Sequence, residues 1–269
     1  MQSELDYKNI KMKKYIALFC LILVFVCFAS SLVLVSCEKP SDCIESTGAI
    51  ITKEVEVSPF NRIEVLQGIE LIITQGPEYK VQIQTGENLM DGIEVIQNGT
   101  VLSLKDNTTC NWVREFGQTK IYVTAPNLEE IYSKTERNIS SNGVLTYPVL
   151  RLFALDDEGD GREGAGTGDF FLAINNYQLV IQNNNVSRYF ISGQTNEAII
   201  DFYAGDGRIE APNLNVQTVK VFHRGSNDMI LKPIQSIIGR MVSTGNIILK
   251  NNPPIVNVEQ LYQGQLIYN

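Results

Sequence analysis

Carboxylates carry most of the chemistry this sequence could do. Asp156, Asp157, Glu158 and Asp160 fall in one glycine-rich stretch that ends at Gly166. Hard oxygens on a pliant backbone are what calcium selects. The spacing is neither that of an EF-hand nor that of the nonapeptide calcium repeat. A solvated acidic loop is therefore the plainer reading, and a calcium or ligand loop the sharper one. Asp156, Asp206 and Asp228 could instead act as acid and base in polysaccharide cleavage. Asp206 and Asp228 stand in turns, where aspartate is common for backbone reasons. His223 is the only histidine. No serine or cysteine nucleophile signature lies near it, and an ordinary strand position accounts for it. Trp112 and the 11 tyrosines could stack on sugar rings, although aromatics also form strands readily. No catalytic residue and no firm metal site is expected from these patterns.

The five cysteines divide by position. Lys11, Lys13 and Lys14 precede an apolar run from Tyr15 to Val35, which Ser36 and Cys37 close. Basic, apolar and small residues in that order make an export signal. Leu34-Val35-Ser36-Cys37 resembles the lipobox of bacterial lipoproteins. The resemblance implies cleavage before Cys37 and lipid attachment to it. Several acyl chains would anchor firmly, since each buried methylene adds roughly 0.8 kcal/mol. The alternative is a transmembrane anchor, for which the run is long enough. In both cases the lysines stay inside and the rest of the chain crosses the membrane. The expected organisation is a signal peptide at 1–36, with Met12 a candidate true start. A lipidated cysteine and tether follow at 37–54, then one β domain at 55–269. The expected location is the bacterial cell envelope, as an outer-membrane lipoprotein.

Cys20 and Cys27 leave with the signal. Cys43 and Cys110 remain in an oxidising compartment, as a candidate disulfide or as two free thiols. The chain carries a net charge of −8. Removing residues 1–37 takes away Lys8, Lys11, Lys13 and Lys14 against only Glu4 and Asp6, so the remainder is more acidic still. Nucleic acid is excluded as a partner, because phosphate binding needs clustered cations.

Short strand signals dominate after the tether. Ile63 to Val65, Glu70 to Ile73, Val81 to Ile83 and Lys120 to Val123 alternate or run apolar. Ile93 to Val95 and Val101 to Leu104 bracket Asn98-Gly99, a hairpin signal. One weak helical window lies at Glu87 to Asp91. From Leu150 onward the chain repeats about every 20 residues. Leu179-Val180-Ile181, Ala198-Ile199-Ile200, Val219-Lys220-Val221 and Ile237-Ile238-Gly239 take equivalent places. A second strand is expected in each unit, around Ile191, Ile209, Ile230 and Ile248. Such a unit cannot bury its apolar face alone, so units must stack. The pattern predicts an all-β fold, a β-helix or β-solenoid-like stack of short strands. A β-sandwich is the alternative, given the irregular spacing of the first half. The acidic stretch at 156–166 is an insertion in this period, and solenoid insertions become loops.

These elements resemble the auto-transporter adhesin head domain called the GIN domain. Phe60, Ile63 and Val65 carry the likeness, with Gln67 to Gly76, Glu87-Asn88-Leu89, Ile93 to Leu104 and Tyr122 to Leu128. The turns of 187–250 and Gly264 to Tyr268 extend it. The resemblance implies a β-helix-like exported domain, commonly a lipoprotein, and supplies no catalytic residue. Two departures stand out: Ser133 to Asn138, where the family shows a small turn, and the acidic insertion. The implied function is adhesin-like binding without catalysis, at a membrane through the lipid anchor, with a glycan or cell-surface protein as partner. The alternative is a polysaccharide-cleaving enzyme of β-helix form. If Cys43 and Cys110 pair, thiol counting on the oxidised, unfolded mature chain should find none. Two reactive thiols would remove the bridge.

Overall fold

A computed structural model describes residues 46–108, 119–156 and 164–269. All of these belong to one compact unit, Ser46–Asn269. Cys37, Cys43, Cys110 and Trp112 lie outside the described residues, as does the apolar run Tyr15 to Val35. Among the described residues no helix is long and apolar enough to cross a membrane.

The chain is all-β. Short strands come first: β1 (Ile50–Val55), β2 (Arg62–Val65), β3 (Glu70–Gln75), β4 (Lys80–Gly86), β5 (Ile93–Asn98) and β6 (Val101–Asp106). Next are β7 (Lys120–Ala125), β8 (Glu130–Ser133), β9 (Ile139–Leu145) and β10 (Val149–Ala154). Four long strands follow: β11 (Phe170–Asn183), β12 (Arg188–Phe202), β13 (Arg208–His223) and β14 (Met229–Met241). The last are β15 (Ile247–Leu249), β16 (Ile255–Gln260) and β17 (Leu266–Tyr268). The weak helical window is a short 3-10 helix, Glu87–Gly92. Ile50 to Glu54, inside the span read as tether, lie in β1 and pair with β4.

The in–out alternation of the long strands lapses at corners. In β11 the buried residues are Phe170, Leu172 and Ile174, then Leu179, Ile181 and Asn183. Between them no residue from Asn175 to Gln178 is buried, and this is the corner. β11 thus serves two walls, each with its own alternation in and out. In β12 and β13 the alternation lapses twice, on either side of Thr195 and of Leu214 to Val216. Successive strands pair in parallel. Leu179, Ala198, Val219 and Ile237 are register partners through β11 to β14, as the repeat predicted. A sandwich would have paired its strands antiparallel. The interior is filled by rows of apolar residues, one from each coil, with Phe170 and Tyr189 stacked at 4.7 Å between ring centroids.

The second strands lie around the expected residues, and Ile230 pairs with Ile248 as expected, but elsewhere the register differs by one or two residues. Ile209 pairs with Tyr189 and Met229, not with Ile191 and Ile230. Register shifts near the corners, between Phe190 and Gly193 and between Glu210 and Asn215, absorb the uneven repeat lengths. A one-residue slip exchanges the two faces of a strand, so Met229 points in and Ile230 out.

The first half threads differently. β2 lies between β6 and β8, and β3 between β7 and β9, all parallel. The chain lays down an inner coil, turns back, and adds an outer one. The reversal uses antiparallel strands: β4 pairs with β7, β1 with β4 and β5 with β6. They form a cap of different geometry on that end of the stack, as repeat proteins require. The β5–β6 hairpin turns at Gly99-Thr100, with Asn98 still paired to Val101, one residue beyond the expected site.

His223 is buried, and its Nδ1 accepts from the Gly225 N–H at 3.3 Å. Burial pushes its pKa below the ordinary 6.5, while the Asn227 backbone and the Asp228 carboxylate oppose the shift. The folded chain then binds this proton less readily than the unfolded chain. Its contribution to stability is intact above about pH 6.5 and falls as pH drops from there toward the folded pKa. His223→Gln should therefore flatten the loss of melting temperature between about pH 7 and 5. A second test addresses the pleat. Ile200→Ala should cost about 2–5 kcal/mol in urea unfolding, and Ile199→Ala, one residue along and facing out, under about 1 kcal/mol.

Candidate functional site

The parallel register turns the outer wall into rows. Asp201, Phe222, Arg240 and Glu259 are successive register partners on β12, β13, β14 and β16. They lie side by side although each is about one repeat from the next in sequence. Beside this row, where strands leave for their turns, stand Tyr203 and Arg224. Together these six residues line an open groove of about 670 Å³. Val221 and Gly239 form part of its lining. Gly239 has φ +148°, and a Cβ there would overlap the Val221 carbonyl oxygen. Glycine is needed for the close approach of the two coils, and it leaves the wall without a side chain at that point.

The groove is built of aromatic rings and charges. Tyr203 and Phe222 lie 6.0 Å apart between centroids, tilted by 42°. The Arg240 guanidinium sits over the Phe222 ring, 5.1 Å from its centroid, an arrangement worth about 0.5–1 kcal/mol at an exposed site. Tyr203 donates its hydroxyl to Asp201 Oδ2 at 3.4 Å, and Gln182 Nε2 donates to the Tyr203 oxygen at 3.0 Å. Burial raises the Asp201 pKa, against the hydrogen bonds from Tyr203 and Gln182. Burial also raises that of Tyr203, reinforced by the Asp201 charge. Among the described residues, Lys80, Lys120, Lys134, Arg208 and Lys220 all have ion-pair partners. Arg224 and Arg240 have none, and neither do Lys53, Arg62, Arg151, Arg188, Lys232 and Lys250.

The carboxylates singled out from the sequence lie elsewhere. Asp206 is in the turn after β12 and accepts from Ser226 Oγ at 2.7 Å and Asn227 Nδ2 at 3.2 Å. Asp228, one coil on, accepts from Arg208 at 3.3 Å and from the Asn246 amide side chain at 2.9 Å. Both tie one turn to the next. Asp156 takes the ammonium of Lys134 at 3.4 Å, and that lysine is only 1% exposed. Asp157, Glu158 and Asp160 lie outside the described residues. Among the described residues no group of three or more His, Cys, Asp or Glu side chains could hold a metal ion.

The two departures from the family pattern meet in space. Ser133, Lys134 and Thr135 are buried. Gly164 and Gly166, at the end of the insertion, and Gly168 just after it approach the carbonyl oxygens of Lys134, Ser133 and Arg137 so closely that a Cβ would overlap them. The described ends of the insertion both meet the unusual turn, and Lys134 joins the two through Asp156.

The sequence reading missed the groove. Its residues follow the repeat offsets, two places after Ile199, Lys220 and Ile238, and that signal could have found it. Comparison with known proteins bears on the whole wall. A family model described as "Putative auto-transporter adhesin, head GIN domain" matches residues 59–253. A comparison with curated proteins finds no match. A solved structure of a putative adhesin from Bacteroides fragilis is similar with a TM-score of 0.72 at 23% identity, covering 84% of this chain and 100% of that one. One from Parabacteroides merdae, also a putative adhesin, gives 0.55 at 16% identity, covering 84% and 98%. A putative lipid binding protein from Parabacteroides distasonis gives 0.52 at 14% identity, covering 83% and 99%. At these identities the likeness is one of fold.

The turn role of Asp228 can be tested. Asp228→Ala leaves the Asn246 backbone and side-chain amides without this acceptor, while Arg208 keeps Glu210 and Asn227, so urea unfolding should show a loss of about 1–2 kcal/mol. Unchanged stability would contradict the turn role.

Proposed function

We propose that this chain, which belongs to the family described as putative auto-transporter adhesin, head GIN domain, is a lipid-anchored, extracytoplasmic binding protein without catalysis. Membership in an adhesin family supports the binding role. The arrangement of the outer wall carries the reading furthest. It offers an open groove of aromatic and charged side chains on rigid strands, with its residues drawn from four successive coils. Rigid elements hold a contact surface better than loops do. Catalysis needs an acid–base pair converging on one reacting atom. Asp206 and Asp228 are instead committed to turn hydrogen bonds, and Asp156 to Lys134. Contacts to such a surface gain strength by multivalency when many copies share one membrane.

Cys37 supplies the anchor in this reading, as the acyl acceptor at the end of the export signal. Growth with an alkyne fatty acid should label the wild-type chain. Cys37→Ser should lose the label and accumulate as precursor. A Cys37→Ser chain that is still processed and still partitions into detergent would reject lipid anchoring. Hydrolysis or elimination of a polysaccharide, lost on substitution of Asp156, Asp206 or Asp228, would replace the binding role with an enzymatic one.

A further inference from the structure

Resting on the adhesin reading, we propose that the groove of Asp201, Tyr203, Phe222, Arg224, Arg240 and Glu259 binds an oligosaccharide that carries a carboxylate. The groove volume of about 670 Å³ lies within the range of small-ligand sites, about 300–1,000 Å³. Its main row crosses three strand spacings of about 4.8 Å each. That gives a trough along the stack, suited to a short linear ligand. Tyr203 and Phe222 present apolar ring surface with limited freedom, on which the C–H face of a pyranose can pack.

The charges narrow the ligand further. Two arginines without an ion-pair partner, Arg224 and Arg240, face this one groove. A guanidinium is a planar fork that matches a carboxylate with two parallel hydrogen bonds. Arg240 is held in place by Phe222 beneath it. Asp201 and Glu259 flank the arginines and are acceptors only when ionised, so they select hydroxyl donors. A polyanion such as a nucleic acid or an anionic lipid surface would be repelled by them. A sugar chain with many hydroxyls and a few carboxylates satisfies both signs. Asp201 accepts from Tyr203 and Gln182, and an ionised carboxylate with about four lone-pair sites can still accept from a ligand hydroxyl.

The test uses the full chain in detergent micelles and isothermal titration. The probes are sialyllactose and a galactose trisaccharide carrying one galacturonate, each beside the same oligosaccharide with its carboxylate converted to the methyl ester. At least one carboxylated probe should bind, with its counterpart about tenfold weaker or more. Phe222→Ala and Arg240→Ala should each weaken binding about tenfold or more, and Arg240→Lys, which keeps charge but loses the fork, should fall between. Phe171→Ala removes an exposed aromatic of the other wall, stacked on Phe190, and should leave binding unchanged. Equal affinity for the uncharged counterpart, or an equal loss in Phe171→Ala, would overturn the proposal. Binding of neither carboxylated probe would overturn it too. Adherence assays on cells that display the chain separate this from the broader reading. Adherence that persists while no probe binds rejects the ligand class and leaves the adhesin reading standing. Absence of adherence to every surface rejects both.

Discussion

The parallel main-chain ladder between successive coils is the constraint from which the rest of this structure follows. Every long strand from β11 to β14 pairs with a neighbour on each side. This fixes the rise per coil at the strand spacing, about 4.8 Å. Side chains must then line up in rows, alternately inside and outside. Inside, the rows close a continuous apolar core that no single coil could bury. Outside, they set residues from distant parts of the sequence next to one another. A ladder also leaves an edge, which would invite another chain to pair. At one end the antiparallel strands β1, β4 and β5 take that place.

The repeating half of the fold was legible because the apolar triplets recur with their turns. Ala198, Val219 and Ile237 fall in register at the offsets their spacing gives. The N-terminal threading was not legible. Nothing local in Ile63 to Val65 says that its neighbours are Val101 to Leu104 on one side and Glu130 to Ser133 on the other. Periodicity reports which face of a strand is buried, not which strand lies beside it. The corners were half legible. Ile191 is an inward position and Ile230 is not, and the register sets Ile209 against Tyr189 and Met229. The groove escaped notice because Phe222 and Arg240 have no common motif. Attention went to aspartates in turns, where clustering is visible along the chain, although those serve the backbone.

The acidic insertion also gains a structural context. Its described ends, Asp156 and Gly164 to Gly166, both meet the buried Ser133 to Thr135 turn. Breaking a buried ion pair commonly costs about 3–5 kcal/mol. With Asp156 half exposed, the Lys134 pair belongs well below that range. Its geometric effect is the larger one, because it fixes where the loop begins. The enlarged loop and the altered turn are thus one feature of the fold.

Cross-linking across the ladder tests this account most directly. In a chain with Cys43 and Cys110 replaced by serine, Ile199→Cys and Lys220→Cys place two thiols on register partners of adjacent coils. Adjacent strands bring Cα atoms within the 4.4–6.8 Å that a disulfide spans. Mild oxidation should join this pair rapidly. Ile199→Cys with Ile238→Cys, which skips one coil, should not join. Equal cross-linking of both pairs, or of neither, would contradict the parallel register and the groove that depends on it.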